Sequence, residues 1–168
     1  MQINIEKYEI EPDEEQKFLI DREIKYSRFV YNHLLILRHK IWEEQRKNLS
    51  FDEEKIILKK LKKKNGWLRN IENATLEQAI RDLDSDFFKF FKINGKYPKC
   101  RKVDDKEQWY KTKNINNFIR VHKQNFITLP KLDLVKVKSD KKITGRVTYA
   151  KINKSGDKYE VSLTIERQ

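Results

Sequence analysis

Asp82, Asp84 and Asp86 stand at alternate positions in "AIRDLDSDFFKFFK", and clustered carboxylates are the usual holders of the divalent ions that cut phosphodiesters. Around them Leu76, Ile80, Leu83, Phe87 and Phe91 recur at intervals of three and four, which predicts a helix. Alternate positions on a helix diverge by about 200°, so the three carboxylates do not converge on one ion pair, and the expectation is that they solvate the helix's outer face. His33 and His39 are six residues apart on different helix faces, and His122 belongs to a distant β-rich part. The single cysteine, Cys100, supplies neither an intramolecular disulfide nor a Cys-rich zinc site. No H-E-x-x-H, P-loop or nucleophile elbow occurs. The reading therefore assigns no catalytic residue and no metal ligand.

Binding chemistry is better represented. In "GKYPKCRKVDDKEQWYKTKNINNFIRV", residues 95–121, Lys and Arg alternate with Tyr97, Trp109, Tyr110 and Phe118. Cations for phosphates beside aromatics for bases are how single strands and RNA are held; packing of Trp109 and Tyr110 onto a sheet is the alternative. Asn114, Asn116 and Asn117 add amides able to pair with base edges. The net charge of +12 is local: residues 1–91 carry 18 Lys/Arg against 18 Asp/Glu, and residues 92–168 carry 20 against 8. Such a one-sided excess attracts polyanions, of which nucleic acid is the usual one. Lysines 59, 60, 62, 63 and 64 close a further helix, where they serve either the helix dipole or a phosphate.

These residues need elements to position them. "MQINIEKYEI" alternates Ile3 and Ile5, then Tyr8 and Ile10, and reads as a strand with a bulge. Pro12, Asp13, Glu14 and Glu15 suit a helix N-terminus, and apolar residues to position 41 keep helical spacing. A break near Lys25 is expected, because one helix of that length would outrun a small core. Within it "SRFVYNHLL" has the apolar spacing of a buried helix yet carries Arg28, Asn32 and His33 among its large side chains, so a base-reading cluster and a core helix with a polar flank are both open. Ser50 and Glu53 have capping-box spacing. After Gly95 the segments "NFIRV", "FITLP", "LDLVKVK", "GRVTYAKI" and "KYEVSLTIER" alternate as strands, the last two joined by a hairpin over 153–157. Strand, helices, then strands predict an α+β fold, a small β-barrel with a helical, helix-turn-helix-like subdomain inserted after the first strand.

Seven segments taken in order, "YEIEPDEEQKFLID", "SRFVYNHLL", "LSFDE", "WLRNIENATLEQAIRDLDSDFFKFFK", "YPKCRK", "NNFIRV" and "LPKLDLVKVK", resemble the TnpB/OrfB proteins of bacterial insertion sequences, RNA-guided nucleases related to type V CRISPR effectors. The resemblance implies a wedge-type β-barrel from residues 1–11 and 114–168, a helical recognition lobe over 12–93, and a basic connecting loop over 94–113. In that family the segment resembling "KYEVSLTIER" leads into an RNase H-like nuclease domain and then a zinc ribbon. The expectation is that this chain holds the recognition part alone, with no enzyme activity and no cofactor of its own, the divalent metal and zinc belonging to the nuclease part.

The resemblance further implies binding of a guide-RNA scaffold and reading of a duplex motif flanking the target, the rest being read by base pairing. Phe51, Lys55, Asn73, Glu77, Gln78 and Asn116 are the expected DNA contacts. Arg28, Lys96, Lys99, Arg101, Lys102, Lys111, Lys131, Lys136 and Lys138 are the expected RNA or phosphate contacts. Relatives carry Lys and Gln where this chain has Asn73 and Glu77, and Glu77 would repel phosphate but accept from a cytosine amino group. The expected partners are guide RNA, double-stranded target DNA and a possible separate catalytic chain, with no membrane, in the cytoplasm of a bacterium or from a phage. Two other readings stand beside this: one part of an RNA-guided endonuclease whose catalytic half is missing, and a stand-alone DNA-binding regulator.

Overall fold

The apolar residues of the first strand change parity, from Ile3 and Ile5 to Tyr8 and Ile10, and a regular strand turns odd and even positions to opposite faces. In the computed structural model, which describes residues 2–122, 125–139 and 142–168, β1 (Gln2–Glu11) keeps one register against β7 (Lys158–Arg167) from Gln2↔Arg167 to Ile10↔Tyr159. The expected bulge in β1 is therefore absent. Tyr8 and Ile10 enter the core while Ile3 and Ile5 stay on the exposed face. The irregularity lies instead in β6 (Arg146–Ser155), between Val147 and Tyr149.

Four further strands, β2 (Glu107–Lys113), β3 (Val121–His122), β4 (Phe126–Leu129) and β5 (Asp133–Val137), complete a seven-stranded sheet in the order β2-β6-β7-β1-β5-β4-β3. Every pairing is antiparallel. With three α-helices alongside, the α+β class holds. The closed barrel does not: among the described residues β2 and β3 are edges that do not pair with each other. Of "NFIRV", residues 117–121, only Val121 is strand, in β3, and Asn116 and Asn117 before it take positive φ (55° and 54°). Gly156 (φ 61°) and Asp157 alone turn the chain between Ser155 and Lys158, a shorter hairpin loop than the spacing suggested.

Residues 107–113, expected inside the connecting loop, are β2, paired to β6 from Glu107↔Ser155 to Lys113↔Tyr149. Charges on the outer positions masked its alternation; inward, Tyr110 and Thr112 are buried. Tyr110 joins Ile152, Val161, Leu163, Ile165, Tyr8, Ile10, Val135 and Ile127 in one core.

The helix α1 (Glu14–Gln45) runs unbroken past Lys25. Its length is used by two cores in turn: Ile20 and Ile24 belong to the core of the strands, whereas Val30, Tyr31, Leu34 and Leu35 belong to a second, helical core. Its start is a capping box that the acidic run concealed. Gln16 N–H donates to Asp13 Oδ1 (2.8 Å) and Asp13 N–H donates to Gln16 Oε1 (2.9 Å). The Gln16 amide then donates to the carbonyls of Leu132 (3.0 Å) and Leu134 (2.8 Å), which pins the helix start to the strands.

Two compact units result, Met1–Ile24 with Lys106–Gln168, and Lys25–Asp105. The second is built from α1, α2 (Phe51–Lys64), a 3-10 turn (Gly66–Asn70) and α3 (Asn73–Lys92). Ser50 caps α2 with both bonds of the expected capping box to Glu53. Leu58, Leu61, Leu68, Ile71, Leu76, Ile80, Leu83 and Phe87 fill its core. Among the described residues no helix is long and apolar enough to cross a membrane.

The three aspartates correct their own expectation. Asp82 pairs with Arg101 (3.0 Å), Asp84 with Arg38 (2.6 Å), and Asp86 accepts from the Tyr31 hydroxyl (2.6 Å). They spread along α3, as the 200° argument requires, but each meets a partner inside the helical unit rather than water. Among the described residues no group of His, Cys, Asp and Glu could hold a metal ion.

Candidate nucleic-acid interface

Lys55, Lys59 and Lys62 fall at i, i+4 and i+7 on α2, which aligns them on one face, and Leu58 between them is buried. Beside them the start of α3 presents Asn73 and Glu77. These six residues line a groove of about 290 Å³. Its cations and amide are already in contact: Lys62 Nζ donates to Asn73 Oδ1. Partial burial of the ammonium lowers the Lys62 pKa, and the Glu77 carboxylate acts the other way.

Phe51, at the first position of α2, lies between two cations, Lys55 Nζ at 5.0 Å and the Arg81 guanidinium at 4.0 Å from the ring centroid. Lys55 also pairs with Asp52 at 3.5 Å. Four of the expected DNA contacts, Phe51, Lys55, Asn73 and Glu77, are thus neighbours. Gln78 does not line this groove: it lies about 100° from Glu77 and about 140° from Asn73 around α3 and is only 9% exposed. Lys59, Lys62 and Arg81 join the group, and the seven-residue lysine spacing was the signal for the first two.

Asn116 lies in the unit of strands. It lines a wider pocket of about 760 Å³ together with Asn117, Arg120, Gly145 and Arg146, over an apolar floor of Ile119, Val121, Ile143 and Val147. Asn114 also lines the pocket, and its side chain ties the wall together. Its side chain accepts from Ile119 N–H (2.8 Å) and donates to the Val147 carbonyl (2.8 Å).

The expected phosphate contacts divide into two kinds. Lys96, Lys99, Lys102 and Lys131 are exposed. Lys136 pairs with Glu11 (3.5 Å) and Lys138 with Glu9 (3.4 Å) on the surface, and such exposed pairs are weak enough to exchange for phosphate. Arg28 and Lys111 are half-buried. Arg101 is committed elsewhere: its guanidinium pairs with Asp82 and covers the Tyr31 ring at 4.0 Å, and its backbone is held by Asn32. Its guanidinium and backbone thus have a role in the fold. His33 is exposed at the edge of the helical core, near Phe29, and burial followed by the Lys64 charge lowers its pKa.

Residues 1–47, which hold β1 and α1, match the family model of the OrfB/IS605 type described as a helix-turn-helix domain. The chain is 22% identical over 165 residues to the "Putative RNA-guided DNA endonuclease InsQ" of Escherichia coli (strain K12), covering 96% of this chain and 40% of that protein. It is 30% identical over 97 residues, 56% of this chain and 24% of the other, to a "Putative RNA-guided DNA endonuclease" of Streptomyces pristinaespiralis. The chain therefore spans less than half the length of either relative. Residues 1–47 are thus similar to an OrfB-type helix-turn-helix domain, and the chain as a whole is similar to part of two putative RNA-guided DNA endonucleases.

Proposed function

We propose that this chain is a nucleic-acid recognition module of a TnpB-type protein, without cleavage chemistry of its own. The α2–α3 groove carries the reading. In it Lys55, Lys59 and Lys62 supply phosphate contacts while Asn73 and Glu77 meet base edges, with Phe51 beside them. A side chain that only accepts, like Glu77, suits a cytosine amino group, and the lysines around it offset its repulsion of phosphate. The duplex read is a short motif flanking a target. The exposed lysines after residue 92 hold the scaffold of a guide RNA, whose base pairing reads the rest.

The test is to purify the chain, sequence the RNA that travels with it, and select bound duplexes from a randomised DNA library. A defined RNA and an enriched short motif containing a C·G pair are expected. Protein free of RNA that enriches no duplex motif would sink the proposal. No divalent-metal-dependent cutting is expected, and cleavage abolished by substitutions within this chain would assign it catalysis instead. Duplex binding without any RNA would favour the stand-alone regulator.

A further inference from the structure

The pocket around Asn116 has a chemistry distinct from that of the α2–α3 groove, and it lies wholly within the unit of strands. Its cations are two guanidiniums, Arg120 and Arg146, both exposed and without an ion-pair partner among the described residues. Unpaired guanidiniums flanking one concavity favour a phosphate, which their planar forks bind through two parallel hydrogen bonds. Asn116 and Asn117 stand in the left-handed region (φ 55° and 54°), which places two consecutive amides on the pocket wall. An amide offers a donor and an acceptor together, the pattern that pairs with the edge of an unpaired base. The apolar floor of Ile119, Val121, Ile143 and Val147 suits the face of a flat heterocycle.

Gly145 completes the wall for a reason internal to the fold. Its φ is 100°, and a Cβ there would lie 2.7 Å from Ile165 Cγ2 and 2.9 Å from the Glu166 carbonyl. A side chain there would be strained and crowded against β7, so backbone lines the pocket at Gly145. At about 760 Å³ the space falls in the range of small-molecule sites and exceeds the needs of a single phosphate.

We infer that this pocket is a nucleotide site, with the phosphate between Arg120 and Arg146 and the unpaired base on the Asn116 and Asn117 amides. The occupant is either a nucleotide within a bound single strand or a free mononucleotide, since both present the same groups. The inference does not rest on duplex reading by α2 and α3, and it can stand or fall separately.

The experiment titrates the full chain with three probes: the 5′-phosphorylated trinucleotide pUpUpU, AMP and inorganic phosphate. Binding is followed by calorimetry and by the amide NMR signals of Asn116, Asn117 and Gly145. Both nucleotide probes are expected to shift those signals, and phosphate alone to bind more weakly. Arg120→Ala with Arg146→Ala should weaken nucleotide binding by at least about tenfold. Tighter binding of the trinucleotide assigns the site to a strand, and equal binding assigns it to a free nucleotide. Both arginines are exposed, so their removal should leave the melting temperature in place; Arg120→Lys with Arg146→Lys provides a second variant that keeps the charge and loses the fork. No shift with either nucleotide, or equal affinity in the Ala double variant, would overturn the inference.

Discussion

Asn32 and the backbone of Arg101, 69 residues apart, form a closed pair of hydrogen bonds: Asn32 Nδ2 donates to the Arg101 carbonyl at 2.9 Å, and Arg101 N–H donates to Asn32 Oδ1 at 2.7 Å. One side chain thus imitates a strand partner and fastens the segment after α3 onto α1. The Arg101 side chain reinforces the join by covering Tyr31 and pairing with Asp82. Asn32→Ala leaves two partly buried backbone groups without partners, and is expected to cost about 1–3 kcal/mol. Asn32→Asp keeps the acceptor, loses the donor and should fall between the two. Denaturant titration of both variants checks the order, and equal stability of Asn32→Ala and wild type would contradict it.

Glu54 is fully buried, with Arg38 Nη1 3.7 Å away and Arg38 itself bonded to Asp84. Burial first, and the neighbouring Asp84 carboxylate next, push its pKa up to about 9 against the pull of Arg38. A carboxyl with a raised folded-state pKa contributes its full stability below the unfolded value of 4.5 and loses it as pH rises toward 9. Stability from this group should therefore fall by at most about 1.4 kcal/mol per pH unit across that window. Glu54→Gln should flatten the slope and raise the melting temperature at pH 8. An unchanged pH profile in Glu54→Gln would show that another group carries the dependence.

Duplex binding through the α2–α3 groove should weaken steeply with salt, because each phosphate contact releases a condensed counterion. Lys59→Ala with Lys62→Ala should weaken binding across all sequences and lower the magnitude of the log–log salt slope by about 2. Glu77→Gln should instead change which base is preferred at one position while leaving the slope nearly as it was. Fluorescence anisotropy over a salt series separates the two effects. A slope unmoved by the double lysine change would take the groove out of the interface.

Two glycines with positive φ should respond differently to a methyl group. At Gly145 a Cβ meets β7 atoms at 2.7–2.9 Å, so Gly145→Ala combines backbone strain with a clash against backbone and is expected to cost about 3 kcal/mol or more. At Gly156 (φ 61°) nothing lies within 4 Å, so Gly156→Ala should cost only the left-handed penalty of about 1–2 kcal/mol. Thermal melts of the two variants compare them directly, and equal costs would refute the clash.

The sequence by itself determined the types of most elements, but not that of β2, which was expected as loop. Periodicity of 3.6 placed α2 and α3, the Ser50 and Glu53 pair placed the start of α2, and alternation in "KYEVSLTIER" placed β7 and its buried face, since these patterns report which side of one element meets a core. What needed the tertiary structure was everything decided by partners distant in the chain. No local pattern distinguishes Arg101 as a structural cation from Lys99 as a free one, because Asn32 and Asp82 make that difference from 69 and 19 positions away. α1 continues past Lys25 because two cores share its length, and the Asp82, Asp84 and Asp86 carboxylates face partners because Arg38, Tyr31 and Arg101 lie opposite them. That β2 and β3 do not pair, and that Asn116, Asn117, Arg120 and Arg146 line one pocket, likewise depend on partners distant in the chain. Helical and strand periods report burial along a single element, whereas the meeting of charges and amides depends on how the elements pack.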